Sequence, residues 1–344
     1  MPEPGRLHAV LLGTAVGDSV GLPAEKLSRA RIERLGWTGD WRQRFLFGRG
    51  LCSDDTEHSL MVLQSMLEAE GEVERFRRRF ARRLRWWVLG IPAGTGLATL
   101  RAGVRLWFRR DPDQSGVASA GNGPAMRSAI IGVFYADDPV RRAAYVEASA
   151  RVTHTDPRAI VGASAIAELA ANPGVGGGEA LAVLRGIRAA DEEWLGLVDQ
   201  IEACLHERCE VEQFARRIGA ADGVSGYVYH TVPVAIYAWL RHPSSARVAI
   251  SAALDCGGDA DTVGAIVGAL CGASLGGEAL PGDWVRGIVD WPRGLRFIDR
   301  LARSTERVPK AFWGFVLMRN LLFLILVLGH GVLRYVPGGL RCLR

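Results

Sequence analysis

The sequence predicts an all-α fold, and three observations carry that prediction. Apolar residues recur at three- and four-residue steps in one segment after another. No stretch sustains the two-residue alternation of a half-buried strand. The 42 glycines fall among alanines at helix-like spacing instead of forming a low-complexity tract, so the chain reads as a packed globule.

The elements follow in order. His8–Val20 is apolar with small residues on several sides, as in a buried helix. Asp55–Ala69 sets Leu60, Leu63, Met66 and Leu67 on one face. Arg75–Trp87 aligns Phe76, Phe80, Leu84 and Trp87 in a stripe surrounded by arginines. That stripe fits a packed helix whose arginines meet solvent, so specific nucleic-acid binding is not expected of it. Asp156-Pro157 reads as an N-cap followed by proline at the first helical position, opening a helix through Ala171. Asn172–Gly178 reads as a glycine-rich loop. Thr262–Leu275 is small and apolar all round, which predicts a central helix packed on every side.

With 344 residues, 49% of them hydrophobic, the chain has material for one large core. A single multi-helix domain is expected over residues 5–302, with a basic, apolar extension over 303–344. The extension carries a net charge of +6, so the remainder is near −1 and its charge says nothing about nucleic acid. Six scattered cysteines without a C-x-x-C pair argue against a zinc ribbon or redox motif and suit a reducing compartment. Met1–Val10 lacks a basic segment leading into an apolar run, so it is not read as a secretory signal; a cytoplasmic protein is expected.

Within the extension, Ala311–Leu333 is apolar apart from Arg319, and its uncharged run Asn320–Leu333 has fourteen residues. Spanning a bilayer takes about 20 residues, and Arg319 would cost about 2.5–3.5 kcal/mol near its centre. A helix packed on the domain or on a partner fits. So does peripheral membrane contact through residues 311–334, with Arg307, Lys310, Arg334, Arg341 and Arg344 facing anionic lipid.

Two acidic segments carry the chemistry. Ser53-Asp54-Asp55-Thr56 precedes one helix, and Asp259-Ala260-Asp261-Thr262 precedes the central one. Glu25 follows the first helix. Capping explains one carboxylate per helix start. It explains two less well, because neighbours repel and the following helix looks buried. Carboxylate and hydroxyl oxygens are also the ligands that Mg²⁺ prefers. Glu25, Asp54, Asp55, Asp259 and Asp261 together carry −5, about what two divalent ions need. Capping and metal binding account for these residues equally well when read from the residues alone. Zinc is disfavoured, since no closely spaced His and Cys ligands occur.

Two further segments are weaker signals. Gly121-Asn122-Gly123 can adopt positive φ and expose amides to phosphate oxygens, or it is a plain turn into a helix. His154 in Thr153-His154-Thr155-Asp156 is either a ligand contact or a structural hydrogen-bonder.

These pieces occur in the order found in a known family. The chain resembles the ADP-ribosylglycohydrolases through Gly17-Asp18 to Glu25, Ser53-Asp54-Asp55-Thr56, Gly121-Asn122-Gly123 with Met126-Arg127, Thr153-His154-Thr155, Gly226-Tyr227 with His230-Thr231, and Gly257-Gly258-Asp259-Ala260-Asp261-Thr262. The resemblance covers roughly residues 8–302. It implies an all-helical fold with two Mg²⁺ ions, Mn²⁺ being the alternative, at the floor of a cleft. Ser53, Asp54, Asp55, Asp259, Asp261 and Thr262 would ligate them. Gly121, Asn122 and Gly123 would hold the pyrophosphate, Met126, His154 and Tyr227 would face the ADP-ribose, and Asp18 would support the ligands from behind. The family often has Thr at the position of Ser53; the hydroxyl is kept. The implied reaction is attack of a metal-activated water on the anomeric carbon of the distal ribose in an ADP-ribosylated protein or derivative. Glu25, Asp54 or Asp259 would be the general base or acid. The alternatives are a binder without activity, like the crystallins related to this fold, and a hydrolase of another ribosyl compound.

Overall fold

Small residues at every fourth position let two helices meet backbone to backbone at the centre of the molecule. The computed structural model describes residues 3–109, 111–304 and 307–335, and among them it has seventeen α-helices and one two-stranded ribbon. The N-terminal helix Pro4–Gly21 and the central helix Ala260–Leu275 run antiparallel. A Cβ added at Gly13 would lie 2.0 Å from the Gly268 carbonyl oxygen, and one at Gly17 only 1.8 Å from that of Gly264. Gly21 meets Ala260, and Gly272 meets Ala9, in the same register. The pairing puts the last turn of one helix beside the first turn of the other, so Asp18 and Asp261 arrive at one place. Both helices are buried over most of their length, as the absence of a polar stripe in each demands.

The other elements extend this pair. The helix Asp54–Leu67 packs on the N-terminal helix and begins beside Asp18. The helix Val73–Leu89 buries Phe76, Phe80, Leu84 and Trp87, the stripe read from the sequence. Its arginines meet Glu68, Glu70, Glu74 and Asp113. Asp156 caps the helix Pro157–Ala171 through a 3.0 Å bond from the Arg158 amide. The glycine-rich loop is shorter than Asn172–Gly178, because the helix Gly177–Arg185 starts inside it, held by Glu179 accepting from the Gly176 amide at 3.2 Å.

The ribbon pairs Leu27–Ser28 with Gly257–Gly258. It is too short for any alternation to show. It ties the chain after Glu25 to the chain before Asp259. Gly258 sits at φ 84°, and a Cβ there would lie 2.1 Å from the Val224 carbonyl oxygen, so only glycine fits.

The five described cysteines are free and buried. Cys342 lies outside the described residues, as do Glu306, Arg341 and Arg344 from the tail reading. The terminal helix Trp313–Tyr335 lies along the domain. Arg319 turns inward and grips Asp290 through two bonds, 3.0 and 2.6 Å, and the Cys52 carbonyl at 2.5 Å. Asn320 donates to the Gly90 carbonyl at 2.9 Å, and Phe323 packs with Leu22, Phe45 and Ala93. The charge that would oppose burial in a bilayer is thus satisfied inside the protein. Arg319→Ala should cost about 3–5 kcal/mol, because Asp290 would stay buried without its cation. Thermal unfolding and limited trypsin digestion check this; the terminal helix should become the first site of cleavage.

Candidate active site

The local sequence around Asp18 decides what Asp54 and Asp55 do. Ser53 is the N-cap of the helix Asp54–Leu67, its hydroxyl accepting from the Asp55 amide at 3.3 Å. Asp18 accepts from the Ser53 amide at 2.9 Å, the Thr56 amide at 3.2 Å and the Thr56 hydroxyl at 2.5 Å. The helix start is therefore capped by Ser53 and Asp18. That leaves the helix dipole as the plain explanation for Asp54 and Asp55, which does not account for the burial of both carboxylates.

The two acidic segments converge. Carboxylate oxygens of Asp18, Asp55 and Asp261 lie within 4.8 Å of one another. The Ser53 hydroxyl donates to Asp55 Oδ2 at 2.9 Å, and the Thr262 hydroxyl to the same oxygen at 3.3 Å. Asp55 Oδ1 and Asp261 Oδ1 are buried with no hydrogen-bond partner. Two unpartnered carboxylate oxygens in one acidic cluster leave acceptor sites open to a shared ligand. Asp18 is bonded to the Ser53 and Thr56 donors and holds the start of the helix that carries Asp54 and Asp55.

Crowding these acids out of water has a strong electrostatic effect. Burial, then repulsion from neighbouring carboxylates, pushes Asp54, Asp55 and Asp261 well above the ordinary carboxyl range. Burial raises Asp18 to about 6. Burial also raises Asp259, against a hydrogen bond from Asn122. A hard divalent cation would relieve this arrangement, because every donor is a carboxylate or hydroxyl oxygen. The residues present therefore fit a magnesium-type centre.

Above this floor lies a cleft of about 690 Å³. Glu25, Asp54, Asp259, Asp261 and Thr262 line its base, while Asp55 and Ser53 sit just beneath. Gly121, Asn122, Gly123, Met126 and His154 form one wall, as the sequence reading placed them.

The expected positive φ at Gly121 and Gly123 is not found; the left-handed glycines of the cleft are Gly94, Gly223 and Gly258. Glycine is needed at 121 and 123 for space, since a Cβ at either would come within 2.9 Å of the His154 ring. The Asn122 amide is already bonded to the Gly226 carbonyl at 3.0 Å. Its side chain donates to Asp259 at 2.6 Å and to Thr231 at 2.9 Å, so Asn122 braces the acidic floor. Tyr227 is not among the residues lining the cleft. Its backbone pairs with Gly121, and its hydroxyl turns away to Glu193 at 2.8 Å.

Hydrogen bonds hold the His154 ring in place. Arg127 only donates, and it donates to the Thr153 hydroxyl at 2.7 Å. The His154 Nδ1 lies 2.8 Å from the same oxygen. Nε2 faces the cleft beside Gly121. Burial, aided by the Arg127 charge, lowers the His154 pKa to about 3, so the ring is neutral.

Other parts of the cleft have no counterpart in the sequence reading. Lys26 pairs with Glu25 at 2.7 Å, and Asp259 and Asp261 add to the pull on its proton. The Gly94–Thr99 segment forms the opposite wall, with Asp222–Ser225 beside it. Arg127, named in the sequence only as part of a matching segment, is fully buried and bonded to Thr153 beside His154. Only the Gly94-Thr95-Gly96 triplet ahead of a helix carried a local signal.

Known proteins resemble this chain over most of its length. A family model described as ADP-ribosylglycohydrolase matches residues 3–311. The chain is 34% identical over 315 residues to an uncharacterized protein of Archaeoglobus fulgidus, covering 85% of this chain and 93% of that one. It is 28% identical to the ADP-ribosyl-[dinitrogen reductase] glycohydrolase of Rhodospirillum rubrum, covering 81% and 89%. A solved structure titled ADP-ribosylglycohydrolase-related protein complex superposes with a TM-score of 0.58 at 26% identity, covering 87% of this chain and 96% of that one.

Proposed function

The chain belongs to the ADP-ribosylglycohydrolase family, and from that premise we propose that it is a magnesium-dependent hydrolase of the bond between ADP-ribose and a modified target. The observation that carries the reading is the pair of orphaned buried oxygens, Asp55 Oδ1 and Asp261 Oδ1, from segments some two hundred residues apart.

Ser53, Asp54, Asp55, Asp259, Asp261 and Thr262 would hold two cations. Bound there, such ions supply Lewis acidity that lowers the pKa of a water and polarises ribose hydroxyls. The protein's own groups do the rest. Asp18 and Asn122 hold the acidic side chains in place. The negative floor favours the positive charge that builds on the distal ribose in an oxocarbenium-like transition state. Glu25, Asp54 and Asp259 line the cleft, and one of them would take or return the proton. His154 Nε2 can exchange a hydrogen bond with a sugar hydroxyl or the adenine ring. Losing one such bond is worth about 1.4 kcal/mol, so His154→Phe should raise KM about tenfold with little change in kcat.

The raised carboxyls also predict how metal and pH combine. Without cations, Asp55 and Asp261 are protonated in the fold at pH values where the unfolded chain, near 3.8, has lost those protons. Their contribution to stability is full below that value and falls as pH rises through the raised folded values. A cation replaces the protons, so its benefit grows with pH. Mg²⁺ at a hundred times its Kd should add about 2.7 kcal/mol. Differential scanning calorimetry should show a larger Mg²⁺-induced rise in Tm at pH 8 than at pH 5.

The direct test is turnover. Purified protein with Mg²⁺ should release ADP-ribose from ADP-ribosylated arginine or serine peptides, and EDTA should stop it. Binding of ADP-ribose without turnover of these or of O-acetyl-ADP-ribose would make the chain a binder.

A further inference from the structure

The terminal helix Trp313–Tyr335 carries its polar side chains on the buried face, beside Val316 and Phe323, and a run of apolar ones on the outside. Its polar side chains Arg319, Asn320 and His330 are buried, bonded to Asp290, the Gly90 carbonyl and the Phe45 carbonyl. Facing out are Phe315, Met318, Leu322, Ile325, Leu328 and Val332, at three- and four-residue steps and 48–65% exposed. A helix packed on a protein in water shows the reverse pattern, and a continuous exposed apolar surface marks something that covers it. Phe47, 95% exposed at the tip of the Leu46–Arg49 turn, is a further exposed apolar side chain, two residues from Phe45, which stacks on His330 at 4.4 Å.

The other end of the helix meets a basic, aromatic pocket. A cavity of about 420 Å³ is lined by Arg82, Arg83, Arg293, Lys310, Trp86 and Trp313, among others. Glu68 answers Arg83 and Lys310, and Glu57 answers Arg293. Arg82 adds an exposed charge at the rim that no carboxylate answers among the described residues. The cavity therefore carries an excess of positive charge at the edge of an apolar stripe, with tryptophans at the boundary. That combination matches the interfacial zone of a membrane.

The geometry points to an anionic phospholipid bilayer as the occupant: the helix would lie in the plane of the interface, its apolar face among the acyl chains and a lipid phosphate in the pocket beside Arg82 and Lys310. A second copy fits less well. Two such helices packed antiparallel would set the basic pocket of each against the end of the other that carries Arg334. A spanning helix would have to break the bonds from Arg319, Asn320 and His330 that hold it along the domain. The loop that accepts from Asn320 at Gly90 continues into the Gly94–Thr99 wall of the cleft, so the buried side of the helix holds a segment that leads to the site.

Vesicle flotation with the full chain tests this. The protein should float with phosphatidylcholine vesicles containing phosphatidylglycerol, float less with phosphatidylcholine alone, and lose binding as salt rises. The double variant Leu322→Glu/Ile325→Glu should weaken flotation about tenfold or more. Arg82→Glu should reduce it to the level of neutral vesicles. Both should keep the circular dichroism and the turnover of a soluble substrate. Absence of flotation with either vesicle would overturn the proposal, as would unchanged flotation of the double variant. A dimer in sedimentation velocity that the double variant dissociates would assign the face to a second copy instead.

Discussion

Asp261→Asn should abolish turnover while making the cation-free protein more stable. The side chain is buried and one of its oxygens has no partner. Burial and the charges of Glu25, Asp259 and Asp55 all oppose its ionised form. The amide keeps the shape and removes the charge, so relief of repulsion should raise stability in EDTA by about 1–3 kcal/mol. The same change removes an anionic cation ligand. A loss in kcat of about a thousandfold or more, roughly 4 kcal/mol of barrier, is expected. Calorimetry in EDTA and steady-state rates in Mg²⁺ check the two halves. A variant that unfolds earlier in EDTA and still turns over would mean that Asp261 is a structural acid.

Gly17→Ala should be the most disruptive single methyl in the molecule. The added Cβ would lie 1.8 Å from the Gly264 carbonyl oxygen and 2.2 Å from its carbon. Both atoms are backbone, so no rotamer relieves the clash and the two central helices must part. Alanine gains about 1 kcal/mol of helix propensity over glycine. Overpacking against rigid neighbours costs about 3 kcal/mol or more, and this term wins. Asp18 follows Gly17 directly and Asp261 lies on the facing helix, so activity should fall with Tm. Gly196→Ala is the control. It lies in the helix Glu192–Glu207 with nothing within 4 Å of the added methyl, and should stabilise by up to about 1 kcal/mol.

The parts of the site that were legible in the sequence are those written in short segments. Ser53 to Thr56 and Asp259 to Thr262 announce themselves as oxygen donors at helix starts, and Thr262–Leu275 announces a buried helix. Periodicity names a face and not its partner, so the match of Gly13 and Gly17 with Gly268 and Gly264 was invisible. Bonds between distant residues were hidden for the same reason. Asn122 looked like a phosphate-loop residue, yet it braces Asp259, 137 positions away. Tyr227 sits in a matching motif, but only its backbone reaches the cleft wall. Capping and metal binding stayed balanced until Asp18 was seen to occupy the amides that Asp54 and Asp55 would otherwise cap. Arg319 read as a charge opposed to membrane burial, because nothing local shows that Asp290 neutralises it.

The most direct measurement is an anomalous difference map from a crystal soaked in MnCl₂. Two peaks about 3.5–4 Å apart are expected, as in other two-metal centres, with oxygens of Asp55 and Asp261 among their ligands. A crystal that takes up manganese elsewhere, or nowhere, while Asp55 and Asp261 stay unligated would contradict the metal centre on which the proposed hydrolysis depends.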